Sequence, residues 1–454
     1  MIMHATEPDI LVVGAGSTGA AAAAMLAAQG RAVAMVDWRR PTDAGARWAN
    51  GVPGWMFDAA DLPRPEPPER LRPGATHNAV LCDPEGRAAV QVPADPLVHI
   101  DMRRLTARLQ AQAQEAGAVL TQERVVAVER RGARVHRVTL ATGRKERTVQ
   151  PRLTVDASGR AAAIRRRVPL LADLGRPPSP RDLCIAAQYQ YRVRDVTEAT
   201  AFLARHGAQA GDAVSFLGVA GGYSVLMVGL SEDLSEVAVL AGSIPAMGVP
   251  SGPTVLDRYV RARPWIGERI FGGQGEIPLG PPWVRLTAPG VALLGDAAHT
   301  VFAVHGSGVG MGLIAARRLA DALHGVDDPG DPVALHRYGC GFQRTYGGRL
   351  AAADLFRRFT QGLTRSDITA LMASGLMNSR MMSTGLMQAP FAANGLSPGL
   401  IANGLVRAPR SLFRMAPVGL RMMALQKHYD RYPDAPDARG IARFARRARQ
   451  IRGE

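Results

Sequence analysis

The chain has 454 residues, enough for two or three domains and a sizeable core without staples. Its formal net charge is +16, carried almost wholly by arginine, since Lys145 and Lys427 are its only lysines. Three cysteines, Cys82, Cys184 and Cys340, are too far apart for a metal knuckle or a disulfide framework, which points to a reducing interior. No basic-then-apolar leader and no apolar run of about 18 residues is present, so a cytoplasmic chain without a membrane span is expected, at most peripheral to a membrane. No nucleic-acid signature accompanies the basic charge, so nucleic acid is not expected as a partner.

In chain order, residues 9–13 (DILVV) read as a buried strand, 17–29 as an alanine-rich helix ended near Gly30, and 31–36 as a second strand closed by Asp37. The turn between them, Gly14-Ala15-Gly16-Ser17-Thr18-Gly19, is GxGxxG. Gly14 permits the tight bend, Gly16 lets a pyrophosphate approach the backbone, and Gly19 lets helix pack on strand. The helix start offers free N–H groups to phosphate, and Asp37 stands where an acid accepts ribose hydroxyls. Residues 62–75 are proline-rich and read as a loop. Residues 101–116 have helical spacing, and 125–155 read as strands with a turn at Thr142-Gly143. The last of these runs into a second turn, Asp156-Ala157-Ser158-Gly159-Arg160.

From about 180 to 280 the pattern becomes β-like, at 184–193, 223–229 and 236–240, which predicts an antiparallel sheet. Residues 291–294 form another buried strand, followed by Gly295-Asp296-Ala297-Ala298-His299 and then Gly306-Ser307-Gly308-Val309-Gly310-Met311-Gly312 and a helix to about residue 323. Asp296 is placed to bind a ribityl hydroxyl, and the glycines let a helix start reach the pyrimidine edge of a flavin. The last 120 residues are helical in pattern and rich in methionine and arginine.

GAGSTG, DASGR and GDAAH followed by GSGVGMG together resemble the flavoproteins of the para-hydroxybenzoate hydroxylase, geranylgeranyl reductase and flavin halogenase superfamily, over roughly residues 8–325. The resemblance implies an α/β fold: a doubly wound FAD-binding Rossmann-type layer, an antiparallel β substrate domain and a helical C-terminal extension. The boundaries expected are 1–180 and 286–330 for the FAD layer, 181–285 for the substrate domain and 331–454 for the extension. It implies FAD as resident cofactor, with NAD(P)H or a partner flavin reductase as electron source. Arg103 and Arg104 stand next to the position, here Met102, where the family usually carries a cofactor arginine. The expected cofactor contacts are thus Gly14, Ala15, Gly16, Ser17, Thr18, Gly19, Asp37, Arg103, Arg104, Asp156, Gly159, Gly295, Asp296, Gly306, Gly308, Val309 and Gly310.

The resemblance favours monooxygenation of a hydrophobic metabolite by O2 through a flavin C4a-hydroperoxide. Two departures stand against it: Phe302 and Ala303 replace the hydroxylases' prolines, and Gly310 replaces an asparagine. The rivals are a reductase or dehydrogenase of the geranylgeranyl reductase type and a flavoprotein with a non-catalytic FAD. Halogenation is disfavoured, because no lysine precedes Lys145 and no WxWxIP segment occurs. His299, His305 and Tyr223 are the candidate catalytic side chains; each also has a plain packing role open to it. Trp48 and Trp55 read either as flavin neighbours or as loop packing. Tyr223 is expected on a strand. The methionine-rich stretch 371–425 reads as the wall of a tunnel for a hydrophobic, carrier- or lipid-linked substrate, as a surface lying on an anionic membrane, or as plain covering helices. Residues 443–452 read as a solvated basic helix end or tail.

Overall fold

The computed structural model describes residues 7–71, 78–93, 97–172, 178–391 and 397–454. Its first layer is a six-stranded sheet in the order Thr287–Ala288, Val291–Leu293, Leu153–Asp156, Ile10–Val13, Val33–Asp37, Val119–Gln122. Every pairing from Val291–Leu293 to Val119–Gln122 is parallel, and only the edge hairpin at Thr287–Ala288 is antiparallel. These parallel strands are near-continuous apolar runs because helices cover them, and Ile10–Val13 and Leu153–Asp156 are buried throughout. The helix Ser17–Ala27 packs on helices Met102–Glu115 and Val309–Leu323. Its alanines let the helices approach closely, and Ala20, Ala21, Ala22 and Ala23 are fully buried.

The second layer is a seven-stranded sheet in the order Ile266–Pro278, Leu183–Val193, Glu236–Ser243, Ser224–Leu230, Ala213–Leu217, Asn78–Cys82, Ala89–Pro93. Its last two strands correct the expected boundaries. Residues 78–93 were placed with the FAD layer, yet they extend the substrate sheet, with Asn78–Cys82 parallel to Ala213–Leu217. Chain order and sheet order differ because residues 78–93 pair with the other layer before the chain returns at Val119–Gln122. A three-stranded sheet, Arg124–Arg131, Arg134–Thr142 and Lys145–Val149, is appended to the first layer, with its predicted turn at Gly143 in the left-handed region at φ 60°. Residues 72–75 of the proline-rich stretch lie outside the described residues.

The C-terminal extension is helical as predicted, from Pro332–Phe342 to Ala438–Arg452. Residues 443–452 are the end of a helix, Ala438–Arg452, and one face of it is buried rather than solvated. Ile441, Phe444, Ala445 and Ala448 form its buried stripe, against Tyr429, Tyr432 and Leu425. The arginines between them face outward, so the basic composition that suggested a tail is one face of an amphipathic helix. No helix among the described residues is long and apolar enough to cross a membrane.

Candidate active site

The first glycine turn is built by close approach. A Cβ on Gly14 (φ 108°) would fall within 2.6 Å of the Ala157 carbonyl carbon, and one on Gly19 would overlap the Gly14 carbonyl oxygen. Gly16 and Gly45 pass so near that a Cβ on Gly16 would sit 3.2 Å from the Gly45 Cα. No side chain caps the helix start at Gly16, and no acid stands in its first turn. The N–H groups of Ser17, Thr18 and Gly19 therefore have no intrahelical acceptor and suit an anionic pyrophosphate.

The Asp37 carboxylate accepts from the Ala15 N–H at 3.0 Å and the Arg39 N–H at 2.9 Å. It keeps lone pairs for a ribose, but the Ala15 N–H is spent on it and is not free for phosphate, which corrects the expectation for Ala15. The Ala15 carbonyl accepts from Gln110 Nε2 at 2.8 Å, and the same amide nitrogen reaches the Pro41 carbonyl at 3.0 Å. Gln110 is a brace that helical spacing alone does not reveal, because a buried glutamine looks like any polar residue on a helix.

Asp156 is likewise reassigned. Its carboxylate accepts from the Ser158 N–H (3.1 Å) and Oγ (2.6 Å) and from the N–H groups of Ile164 (2.9 Å) and Arg165 (2.8 Å). It organises the second turn instead of facing a cofactor, while Gly159 supplies the left-handed residue there at φ 64°. Arg103 and Arg104 are also committed. Arg103 grips Asp101 through Nε (3.0 Å) and Nη2 (2.6 Å) and lies 3.9 Å over the Phe271 ring; Arg104 stands 3.7 Å from the same carboxylate. Arg103 thereby fastens the start of helix Met102–Glu115 to the edge strand of the substrate sheet.

The third signature carries the open acceptor. The Asp296 carboxylate has no hydrogen-bond partner among the described residues, and burial alone pushes its pKa up to about 6. An acid left this way in a native fold calls for a ligand that donates to it. Its Oδ1 lies 3.2 Å from where a Cβ on Gly308 would stand, beside the start of helix Val309–Leu323, which also lacks a side-chain cap. Gly308 and Val309 thus open a second helix start onto the same space. Gly295 (φ 59°) and Gly312 both make room for Thr18, joining the first and third signatures. Gly310 makes room for the sulfur of Met56 and is buried, so its missing side chain serves packing and not the flavin.

His299 sits in the left-handed region at φ 61°. Its Nδ1 lies 2.9 Å from the Pro281 carbonyl, and its ring stacks on Trp283 at 4.8 Å. The other neighbour of Trp283 is the Arg165 guanidinium, 3.5 Å from the ring centre. Burial holds the His299 pKa below the usual imidazole range, and its Nε2 is buried without a partner. His305 is farther along the loop, its ring 5.2 Å from Phe302. The residue is exposed, while the protein packed around its ring pushes its pKa down to about 4. Tyr223 precedes the strand Ser224–Leu230 instead of lying on it. Its hydroxyl stands 3.6 Å from where a Cβ on Gly306 (φ 73°) would be, and it has no hydrogen-bond partner among the described residues. Burial raises its pKa well above that of a free phenol. Around it Cys184, Ile277, Leu279, Val301 and Ala303 form an apolar wall, and a cavity of about 140 Å³ behind it is lined by Gly222, Ile244, Met247 and Leu363.

The extension closes this space. Trp55 Nε1 donates to the Met387 carbonyl at 2.9 Å, Arg349 Nη1 donates to the Gln388 carbonyl at 2.8 Å, and Phe391 stacks on Phe302 at 6.2 Å. Residues 379–391 are thereby strapped over the glycine loop, with Met382 and Leu386 against Ala79, Leu81 and Val92. Trp48 instead packs on Gly273 and Gly275 of the edge strand, where a Cβ would lie 3.2 and 2.8 Å from its ring.

Two glycine-walled helix starts and an unpartnered, half-buried acid, brought together from segments far apart in the chain, fit FAD. A protein-family comparison matches residues 9–166 to the FAD dependent oxidoreductase family. That match and the three glycine signatures support the FAD-dependent oxidoreductase superfamily. In this flavoprotein the residues that would hold FAD are Gly14, Gly16, Ser17, Thr18, Gly19 and Asp37 at the dinucleotide end, with Gly295, Asp296, Gly306, Gly308 and Val309 toward the flavin. Among curated relatives, the digeranylgeranylglycerophospholipid reductase of Sulfolobus acidocaldarius is 23% identical over 452 residues, covering 96% of both chains. The digeranylgeranylglycerophospholipid reductase 2 of Methanopyrus kandleri is 26% identical over 387 residues, covering 80% of this chain and 89% of its own. Among solved structures, a geranylgeranyl bacteriochlorophyll reductase-like protein from Thermoplasma acidophilum aligns with a TM-score of 0.69 at 16% identity, over 90% of this chain and 99% of its own. The flavin-dependent brominase Bmp2 aligns at 0.57 and 15%, over 88% and 98%. These likenesses extend through the substrate sheet and into the helical extension, so the fold is shared across the flavoprotein's whole architecture.

Proposed function

We propose that this flavoprotein reduces carbon–carbon double bonds in a hydrophobic, isoprenoid-like substrate. The observation that carries the reading is the unpartnered Tyr223 hydroxyl, set in an apolar wall beside the flavin-facing glycine loop. The reductase names of the relatives that match along most of the chain support it. GDAAH by itself favours a monooxygenase; Phe302 and Ala303 in place of the hydroxylases' prolines lean toward the reductase.

Reduced FAD supplies a hydride when bound. Saturating a double bond consumes that hydride at one carbon and a proton at the other. Tyr223 Oη is protonated at any working pH, because burial holds its proton, and it delivers that proton to the second carbon and regains one from solvent only after the product has left. Asp296 anchors the cofactor chain. The start of helix Val309–Leu323, uncapped by any side chain, would offer its N–H groups and positive dipole end to negative charge that develops on a reduced flavin. His305, neutral near pH 7, adds no charge to the apolar space. The strap 379–391 keeps water out of it. Electrons reach the cofactor from NAD(P)H bound transiently or from a partner flavin reductase.

The test is anaerobic. Dithionite-reduced enzyme mixed with a polyprenyl alcohol regains the absorbance of oxidised flavin and yields a product heavier by two hydrogens per bond. Failure of every unsaturated prenyl compound to reoxidise the enzyme, with an O2-dependent product carrying one added oxygen atom, would replace this reading by monooxygenation.

A further inference from the structure

The helices Pro398–Arg407 and Pro409–Tyr429 expose a run of large apolar side chains that the site does not use. Leu405, Val406, Phe413, Leu420 and Met423 are all exposed, with Val406 at 80%, Phe413 at 70% and Leu420 at 66%. Single exposed hydrophobics are ordinary; five within 19 positions of two consecutive helices are not. The longer helix already has a buried stripe, Ser411, Met422, Leu425 and Tyr429, so it is docked on the protein by one face and presents Phe413 and Leu420, seven residues apart, on the opposite one. Arg410, Arg414 and Arg421 recur at four- and seven-residue spacing along the flank between those faces. Arg407 and Arg410 form no ion pair among the described residues. Residues 368–429 hold six basic side chains and not one Asp or Glu.

We propose that this face docks on an anionic lipid bilayer. An apolar ridge with a cationic flank and no acid is what an interfacial helix needs: the ridge enters the acyl boundary while the arginines stay at the phosphates. A second copy of the chain fits worse. A two-fold contact would set this basic surface against itself, with Asp367, already bonded to Ser411 and facing Arg414, as the carboxylate beside it, which leaves Arg407 and Arg410 without one. The strap over the glycine loop and the docking helices are adjacent in sequence, so a bilayer held here would lie against the same extension that covers the cavity. The inference stands apart from the reductase reading, because its test reads binding and not turnover.

The experiment is flotation of the FAD-loaded full chain with vesicles of phosphatidylcholine alone or mixed with phosphatidylglycerol. The chain floats with the mixed vesicles, weakly with phosphatidylcholine, and less in high salt. Phe413→Ser with Leu420→Ser lowers partitioning about tenfold or more. Arg407→Gln with Arg410→Gln lowers it on the anionic vesicles alone, by roughly fivefold per arginine. Undiminished flavin absorbance shows that the exposed-site variants still fold. Flotation equal to the parent in both variants, or none with anionic vesicles, overturns the proposal. So does a concentration-dependent dimer in light scattering that Phe413→Ser dissolves, which would give the face to a second copy.

Discussion

The Trp55 indole and the Met387 carbonyl, 332 positions apart in sequence, meet at 2.9 Å. That bond ties the early loop of the FAD layer to the strap of the extension, and Trp55 also stacks on Tyr346 with ring centres 6.5 Å apart. Trp55→Phe keeps the stacking and loses the bond. The variant is expected to lose about 1 kcal/mol of stability, read in denaturant melts. Its flavin fluorescence is expected to become more open to iodide quenching, because the strap is held less firmly.

Asp296 predicts opposite effects on the empty and loaded protein. Its folded pKa is raised from the model-compound value of 3.8 to about 6, so without cofactor its ionised form is a cost to folding at neutral pH. The sign follows: the apoprotein gains stability as pH falls from 7 toward 5, where the carboxyl takes up its proton in the folded state but not yet in the unfolded one. Asp296→Asn removes the cost and is expected to stabilise the apoprotein at pH 7 by on the order of 2 kcal/mol. The same change weakens FAD binding, since an amide is a poorer acceptor for a ribityl hydroxyl. Apoprotein melting curves at pH 7 and 5, with FAD titrations of both proteins, check both halves.

Gly310 tests packing against cofactor contact. Gly310→Ala places a methyl group on the Met56 sulfur. It is expected to cost about 1–3 kcal/mol through overpacking while the folded fraction keeps its FAD affinity. A large loss of FAD affinity with unchanged melting would restore Gly310 to the cofactor site.

Tyr223→Phe removes one oxygen atom and no packing volume of consequence. Turnover is expected to fall about 10²-fold or more, with KM and flavin content close to the parent's.

The sequence by itself determined the three glycine turns and the strand-turn-helix units around them. Those features are local: a tight bend needs Gly14, a left-handed position needs Gly159, and apolar runs such as 9–13 need only neighbours on both faces. Asp296 was legible for the same reason, since its place follows from the strand before it. The tertiary structure alone decided which acid is open and which is spent. Asp156 and Asp296 look alike in their motifs, yet the first meets four donors from its own turn and the second meets none. It alone put residues 78–93 in the substrate sheet, Met56 against Gly310, and residues 379–391 over the glycine loop. Each of these is a contact between segments far apart along the chain. Backbone preference is set by a residue and its neighbours; which distant surface fills a given space is set by the packing of the whole core, and no short stretch of sequence encodes it.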